Sequence, residues 1–290
     1  MSRSNPGFVE LGRRIGKETL FKYIEKFGFG TKTGIDLNGE GTGILFKLDR
    51  VGPVELATTA FGQGVSVTAI QQVAAVSAAI NGGTLYKPYI VKRLIEPTTN
   101  EIIKENNSTI VRKVIEEDTS QKVRYALESV VALGSGRNAY IEGYRVGGKT
   151  GTAQKVNNGV YMVGNYITSF IGFLPADNPE IVLYVAIDNP KGISAYGGTV
   201  AAPIARTILN DAIDALDIKK RENGIEKEYR YFDTKYITVP DVTGKTIKEV
   251  KNLLKDFTIE YSGKGETIIS TSPSSGSSIP INSTIRVMLG

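Results

Sequence analysis

With 290 residues, 41% of them hydrophobic and 22% charged, the chain can bury a core and does not have the composition of a disordered protein. It contains no cysteine and no histidine, which removes disulfides, thiolate or imidazole metal sites and every serine–histidine–aspartate scheme, so acid–base chemistry falls to Lys, Asp, Glu or Tyr. The formal charge of +5 comes from short basic clusters with little aromatic interleaving, which argues against a nucleic-acid partner and suits a mild attraction to anionic envelope polymers.

In chain order, residues 8–28 read as one helix, with Leu20, Tyr23, Ile24 and Phe27 on an apolar face and Gly28 to Gly30 as its stop. Residues 31–66 are glycine-rich and read as irregular. Thr68 to Gly83 reads as a buried helix, capped by Thr68 and stopped by Gly82-Gly83. "YIVKRLIEP" and "TNEII" predict a strand, a turn and a strand. Thr119 to Leu133 reads as an amphipathic helix. Three β-branched runs follow, Tyr144 to Val156, Val160 to Leu174 and Ile181 to Asp188, joined by the hairpin signal Asn157 to Gly159 and by the turn Pro175 to Glu180. A helix over Ala202 to Leu216 is expected to carry Ile204, Ile208, Ala212 and Leu216 along one face. The charged stretch from Asp217 reads as a solvated linker. The last 55 residues read as a small module of strand, helix, strand and strand, with a capping box formed by Thr246 and Glu249. No apolar run approaches the roughly 18–20 residues of a membrane helix, and the opening MSRSNPGFVE has no apolar leader-like stretch.

The stretch "EGYRVGGKTGTAQ" admits two readings. Gly143, Gly148, Lys149 and Thr150 fit G-x-x-x-x-G-K-T, the phosphate loop of an NTPase, and Asp188 at the end of "IVLYVAID" resembles its magnesium-binding aspartate. Such a loop must open directly into a helix within a parallel βαβ unit. Here the residues after Thr150 show no helical stripe and run into a hairpin. The other reading is the triad Lys149-Thr150-Gly151 on a strand within antiparallel strands. Its chemistry fits the residue types. An edge strand pairs with an extended substrate, and Gly148 and Gly151 allow close backbone approach. Lys149 supplies positive charge without a histidine. Thr150 and Thr152 offer hydroxyls to a substrate carboxylate, and a backbone N–H near Thr152 can donate to an oxyanion.

The longer "GGKTGTAQK", with "NPGFVELGRRIG", "TTAFGQGVSVTAIQQVAAVSAAINGG", "SFIGFLPADNPEIVLYVAIDNP" and "GGTVAAPIARTIL" in the same order, resembles class B penicillin-binding proteins, the D,D-transpeptidases of peptidoglycan synthesis. "VPDVTGKTIKEVKNLL" with "SPSSGSSIPINSTIRVML" resembles a PASTA module, a pairing similar to division-type and sporulation-type members. The resemblance implies an α+β fold: an antiparallel sheet flanked by helices, its N-terminal part missing, over residues 1–216, then a linker over 217–235 and a PASTA domain over 236–290. It implies Lys149 and Asn5 as catalytic residues, Thr150, Gly151 and Thr152 as substrate-binding residues, and no metal or cofactor. It also implies the peptidoglycan stem peptide, β-lactam antibiotics and envelope proteins of division or sporulation as partners, and a place outside the cytoplasmic membrane for the parent protein.

The chain departs from the family pattern. No S-x-x-K occurs in these 290 residues; Thr19 to Lys22 has the spacing with threonine, on the helix after the asparagine motif. Asn5 stands before "PGF", but Arg3 occupies the serine position of S-x-N, with Ser2 and Ser4 out of register. The expectation is the C-terminal part of a longer transpeptidase or a truncated product. Without the serine it forms no acyl-enzyme and no penicillin adduct. A non-catalytic module that binds peptidoglycan or an envelope protein through PASTA is the alternative.

Overall fold

The computed structural model describes residues 4–157, 160–192, 195–229 and 234–290. Arg3 and Ser2 of the asparagine motif, and Asn158 and Gly159 of the expected hairpin turn, lie outside them. Two compact units emerge, Met1–Lys227 and Glu228–Gly290.

The first unit starts with α1 (Asn5–Ile15), capped where Ser4 Oγ accepts the Gly7 N–H at 3.2 Å. The single helix expected over 8–28 is two, because Gly16 turns the chain at φ +80° before α2 (Lys17–Lys26). The stretch expected to be irregular contains α3 (Pro53–Ala60). Its signals are Pro53 in the first turn and Glu55, whose carboxylate accepts the Gly52 N–H at 2.9 Å. α4 (Ala69–Ile80) has the expected Thr68 cap, completed by Gln71 Oε1 accepting the Thr68 N–H at 2.9 Å. The buried Gln71 amide also donates to Thr31 O and Thr42 O, at 2.7 and 2.9 Å, and so holds the glycine-rich stretch to the helix.

Next come β1 (Thr84–Lys87), β2 (Arg93–Ile95), β3 (Ile102–Glu105) and β4 (Thr109–Lys113), with β1 antiparallel to β4 and β2 antiparallel to β3. α5 (Glu117–Ala132) leads to the main sheet of β5 (Gly147–Asn157), β6 (Val160–Leu174) and β7 (Ile181–Asp188), antiparallel in the order β5-β6-β7. α6 (Gly197–Ala215) starts five residues earlier than expected, at a pair of glycines. Helices cover both faces of the sheet. Phe170, Leu174 and Val185 pack with α6 on one, and Phe173 and Val182 with α4 and α5 on the other.

The buried stripe of α6 is not the expected one. Ala201, Ala202, Ala205, Leu209 and Ile213 face the sheet, while Ile204, Ile208 and Leu216 are exposed. Small side chains let the helix lie close to the strands, and a search for large apolar residues misses them. Phe8, Leu11 and Ile15 likewise stand exposed along α1. The stretch after α6, expected to be a solvated linker, is mostly exposed in its charged side chains but pinned in its backbone. Ile218 is buried, and the Arg221 N–H donates to Gly143 O at 2.7 Å.

In the second unit, β8 (Tyr236–Thr238) and α7 (Ile247–Val250) are followed by β9 (Thr258–Gly263), β10 (Ile268–Ser272), β11 (Ser278–Pro280) and β12 (Thr284–Leu289). β12 lies between β10, antiparallel, and β9, parallel, while β11 pairs with β8. Val239, Val242, Val250, Leu254, Ile268, Ile285 and Val287 form its own core. The Glu249 carboxylate takes the Thr246 N–H at 2.7 Å and hydroxyl at 2.9 Å, which starts α7 as the capping box predicts. Both units are α+β, as expected.

The β2–β3 ribbon is tied to the unit by Asp36, whose carboxylate accepts the Ile90 N–H at 2.7 Å and the Val91 N–H at 2.9 Å. Those two bonds hold its carboxyl below the ordinary 3.8. A depressed folded-state pKa gives stability that is present above the unfolded value and lost as pH falls through the folded one. The amide shifts of Ile90 and Val91 will therefore titrate together with a midpoint below 3.8, read by NMR; a midpoint at or above that value contradicts the tie.

Candidate active site

β5 is an edge strand of the main sheet and carries Lys149, Thr150, Gly151 and Thr152. The Asn189 N–H donates to Tyr166 O at 2.7 Å, and these residues stand opposite each other one step beyond the pair Ile167 and Asp188. Opposed residues in an antiparallel ladder alternate between bonded and non-bonded pairs. Even-numbered residues of β6 therefore bond to β7 and odd-numbered ones to β5. Carried through the β5–β6 register, this bonds Gly147, Lys149, Gly151 and Ala153 to β6 and turns the backbone groups of Gly148, Thr150, Thr152 and Gln154 to the outer edge. The position expected to hold an oxyanion, the Thr152 N–H, is one of those directed outward.

Side chains alternate across the strand. Lys149 projects on the face that also carries Phe173, and its ammonium donates to Thr150 O at 2.8 Å. Thr150 and Thr152 project on the α6 face. Thr150 is 3% exposed, and its hydroxyl lies 2.9 Å from that of Ser135. Thr152 Oγ1 accepts the Gly197 N–H at 3.2 Å, at the start of α6. Both hydroxyls expected to meet a substrate carboxylate thus also serve the fold. A hydroxyl that accepts one bond keeps its own O–H to donate, so the Thr152 contact leaves that donor in place.

The structure brings these four residues together on one strand. Asn5 is on a different element, exposed in the first turn of α1, a helix packed on α2 and α3. Two neighbours of the strand were missed in the sequence. Ser135 reaches Thr150, and Asn138 donates to Gly198 O at 2.8 Å, tying the loop after α5 to the start of α6. The signal available was a hydroxyl and an amide among turn residues in "GSGRNA".

At the root of β5, Arg145 adopts φ +48° and forms a two-pronged ion pair with Glu128 of α5, Nε–Oε1 3.1 Å and Nη2–Oε2 3.0 Å. Glu128 is 2% exposed. Its hydrogen bonds hold the Arg145 guanidinium above its usual pKa, against the opposing effect of burial. At the far end of β5, Lys155 is ion-paired to Asp188 at 2.7 Å. Asp188, which resembled a magnesium ligand, is thus bound to a lysine, and β5 runs on as strand to Asn157 where a phosphate loop would open into a helix. Among the described residues no group of three or more His, Cys, Asp or Glu side chains could hold a metal ion.

Residues 1–210 match the model of the penicillin binding protein transpeptidase domain, and residues 237–290 match that of the PASTA domain. The chain is 61% identical to stage V sporulation protein D of Bacillus subtilis over 285 residues, 98% of this chain and 44% of that protein. It is 33% identical to a probable peptidoglycan D,D-transpeptidase PenA of Neisseria meningitidis, over 74% of this chain and 35% of the relative. The chain therefore spans less than half the length of these two curated relatives. Penicillin-binding protein 3 of Mycobacterium tuberculosis, solved in complex with aztreonam, superposes with a TM-score of 0.68 at 30% identity, covering 78% of this chain and 52% of that one. Penicillin-binding protein 2X of Streptococcus thermophilus shares the fold along 99% of this chain and 43% of its own, with a TM-score of 0.65 at 23% identity.

A Cβ on Gly197 would overlap the carbonyl oxygens of Gly151 and Ser169, both backbone atoms that cannot swing aside. Gly197→Ala is therefore expected to destabilise the first unit by about 2–3 kcal/mol, the upper range for overpacking. Thr199→Ala, an exposed change two residues on, is expected to stay within about 0.5 kcal/mol. Urea denaturation of both variants checks this, and equal midpoints would refute the close approach of α6 to β5.

Proposed function

The chain belongs to the penicillin-binding protein transpeptidase family, and we propose that it supplies the substrate-facing wall of a peptidoglycan D,D-transpeptidase. The observation that carries this reading is the edge strand β5, with Lys149 on one face, Thr150 and Thr152 on the other and the Thr152 N–H directed outward. A stem peptide ending in D-Ala-D-Ala pairs along that edge by strand addition. Lys149 and the threonine hydroxyls attract and orient its terminal carboxylate. A serine from an S-x-x-K segment attacks the penultimate carbonyl. The Thr152 N–H stabilises the oxyanion that develops, D-alanine leaves, and an amine of a second stem takes the acyl group. β-Lactams occupy the same edge and acylate the same serine. These 290 residues contain no S-x-x-K, so this chain contributes binding and electrostatics, and the parent protein, working outside the cytoplasmic membrane, contributes the nucleophile.

A second reading concerns residues 236–290 alone. Their self-contained core supports a module that binds peptidoglycan or an envelope protein without catalysis. Sedimentation of that fragment with purified cell walls tests it, and recovery in the supernatant at all concentrations refutes it.

The main reading is tested by replacing the matching part of the Bacillus subtilis relative with this chain. The chimera should be labelled covalently by a fluorescent penicillin, while the isolated 290-residue chain should not. Lys149→Ala in the chimera should slow labelling by about 10²-fold or more, the scale of losing one electrostatic group at a reacting centre. A folded chimera that takes no label, or a labelled isolated chain, overturns the reading.

A further inference from the structure

Arg145 lies outside the K-T-G triad, yet four parts of the first unit converge on it. Its backbone carbonyl accepts the Ala176 N–H at 2.7 Å, and its guanidinium lies 3.7 Å from Asp177, so it holds the β6–β7 turn. Its two-pronged pair with Glu128 holds α5. The third part is the stretch after α6. The Ile225 N–H donates to the same Glu128 oxygen at 3.2 Å, and a Cβ on Gly224 would come within 2.9 Å of Arg145 Cγ. The fourth is the root of β5, two residues on.

The stretch from Ile218 to Lys227 therefore crosses the root of β5 as a strap. It is anchored at one end by the buried Ile218, in the middle by the Arg221 N–H on Gly143 O, and at the other end by Ile225 on Glu128. It does not fill its groove. A cavity of about 220 Å³ remains beneath it, lined among others by Glu128, Glu142, Arg145, Arg221 and Gly224. The strap is held by a few directional bonds and little apolar burial, so it can lift without unpacking the core.

We propose that Arg145 is a positioning residue for the K-T-G strand, and that the strap over residues 218–227 locks it through Glu128. Arg145 fixes where β5 leaves its turn and so sets the line of the edge that carries Lys149 and Thr152. Loosening the strap frees the Glu128 carboxylate, lets Arg145 reorient and unsettles the strand from its root. The residues that lead toward the second unit thereby control the order of the substrate edge. This rests on reading β5 as the substrate strand, but its test needs neither substrate nor nucleophile.

The test is amide hydrogen exchange, followed by NMR on the 290-residue chain. The probes are the Lys149 and Gly151 amides, which bond inward to β6. Arg145→Lys keeps the charge and loses the two-pronged geometry. Ile225→Pro removes the strap's N–H to Glu128, with φ fixed at that one half-buried position, and so leaves a usable variant should changes at Arg145 prevent folding. Both should speed exchange at Lys149 and Gly151 by about 10-fold while amides of α4 and of β12 keep their native rates, the pattern of a local opening. Lys155→Ala, at the opposite end of β5, should leave both probes unchanged. Unchanged exchange in both strap variants overturns the proposal. So does a rise shared by every amide of the first unit, which marks a merely structural pair. A chimera that takes no penicillin would end the functional reading and leave the exchange result standing.

Discussion

Two phenylalanine rings lie where the side chains of three glycines would otherwise be, and the main sheet depends on that absence. The ring of Phe173 occupies the space over Gly147, and the ring of Phe170 the space over Gly148 and Gly172. Both rings are fully buried, one on each face of the sheet. Any Cβ at these positions would push β5 off β6 or drive a ring from its rotamer. The same logic continues into α6, where Gly197 and Gly198 rest on the carbonyl oxygens of Gly151, Ser169 and Ser135. Gly147 and Gly148 of "GGKTG" are thus explained by packing, and the proposed chemistry falls to residues that follow them, Lys149, Thr150 and Thr152.

This dual use explains why the strand was legible in the sequence while much around it was not. The antiparallel β-branched runs, the Thr68 cap and the Thr246–Glu249 box are local signals, complete within a few residues, and the structure reproduces them. β7 spans Ile181–Asp188, as its apolar run predicts. What stayed hidden depends on partners far along the chain. Ile225 meets Glu128 across 97 residues, and Gln71 meets Thr31 across 40. No periodicity announces such pairs, since the exposed charges of the strap read as solvent-facing and only its backbone is engaged. The alanine stripe of α6 failed for a different reason: close helix-to-sheet packing selects small residues, and the larger Ile204 and Ile208 fall on the outer face.

The candidate site was legible as residue types and spacing, but its second role was not. Thr150 and Thr152 carry hydroxyls of a kind that can donate to a carboxylate, and the residue types alone say that much. That the same hydroxyls meet Ser135 and the first turn of α6 follows only from the register, which puts even-numbered β5 side chains on the α6 face. The consequence is a rigid site. A hydroxyl already held by one bond points its remaining capacity in a set direction, and a preorganised donor needs no reorientation when charge develops.

The cations along β5 are divided by their partners. Arg145 at the root is bound to Glu128, and Lys155 at the far end to Asp188. Each pair neutralises its cation and fixes an end of the strand. Between them, Lys149 donates to the neutral carbonyl of Thr150, its own neighbour. That contact orients the ammonium along the strand. In a chain without histidine, a lysine held on an edge strand is a residue type suited to the anionic peptide end proposed above. The root pair rests on the buried Glu128 and the distal pair on the exposed Asp188, so breaking the root pair is expected to disturb the site more than breaking the distal one.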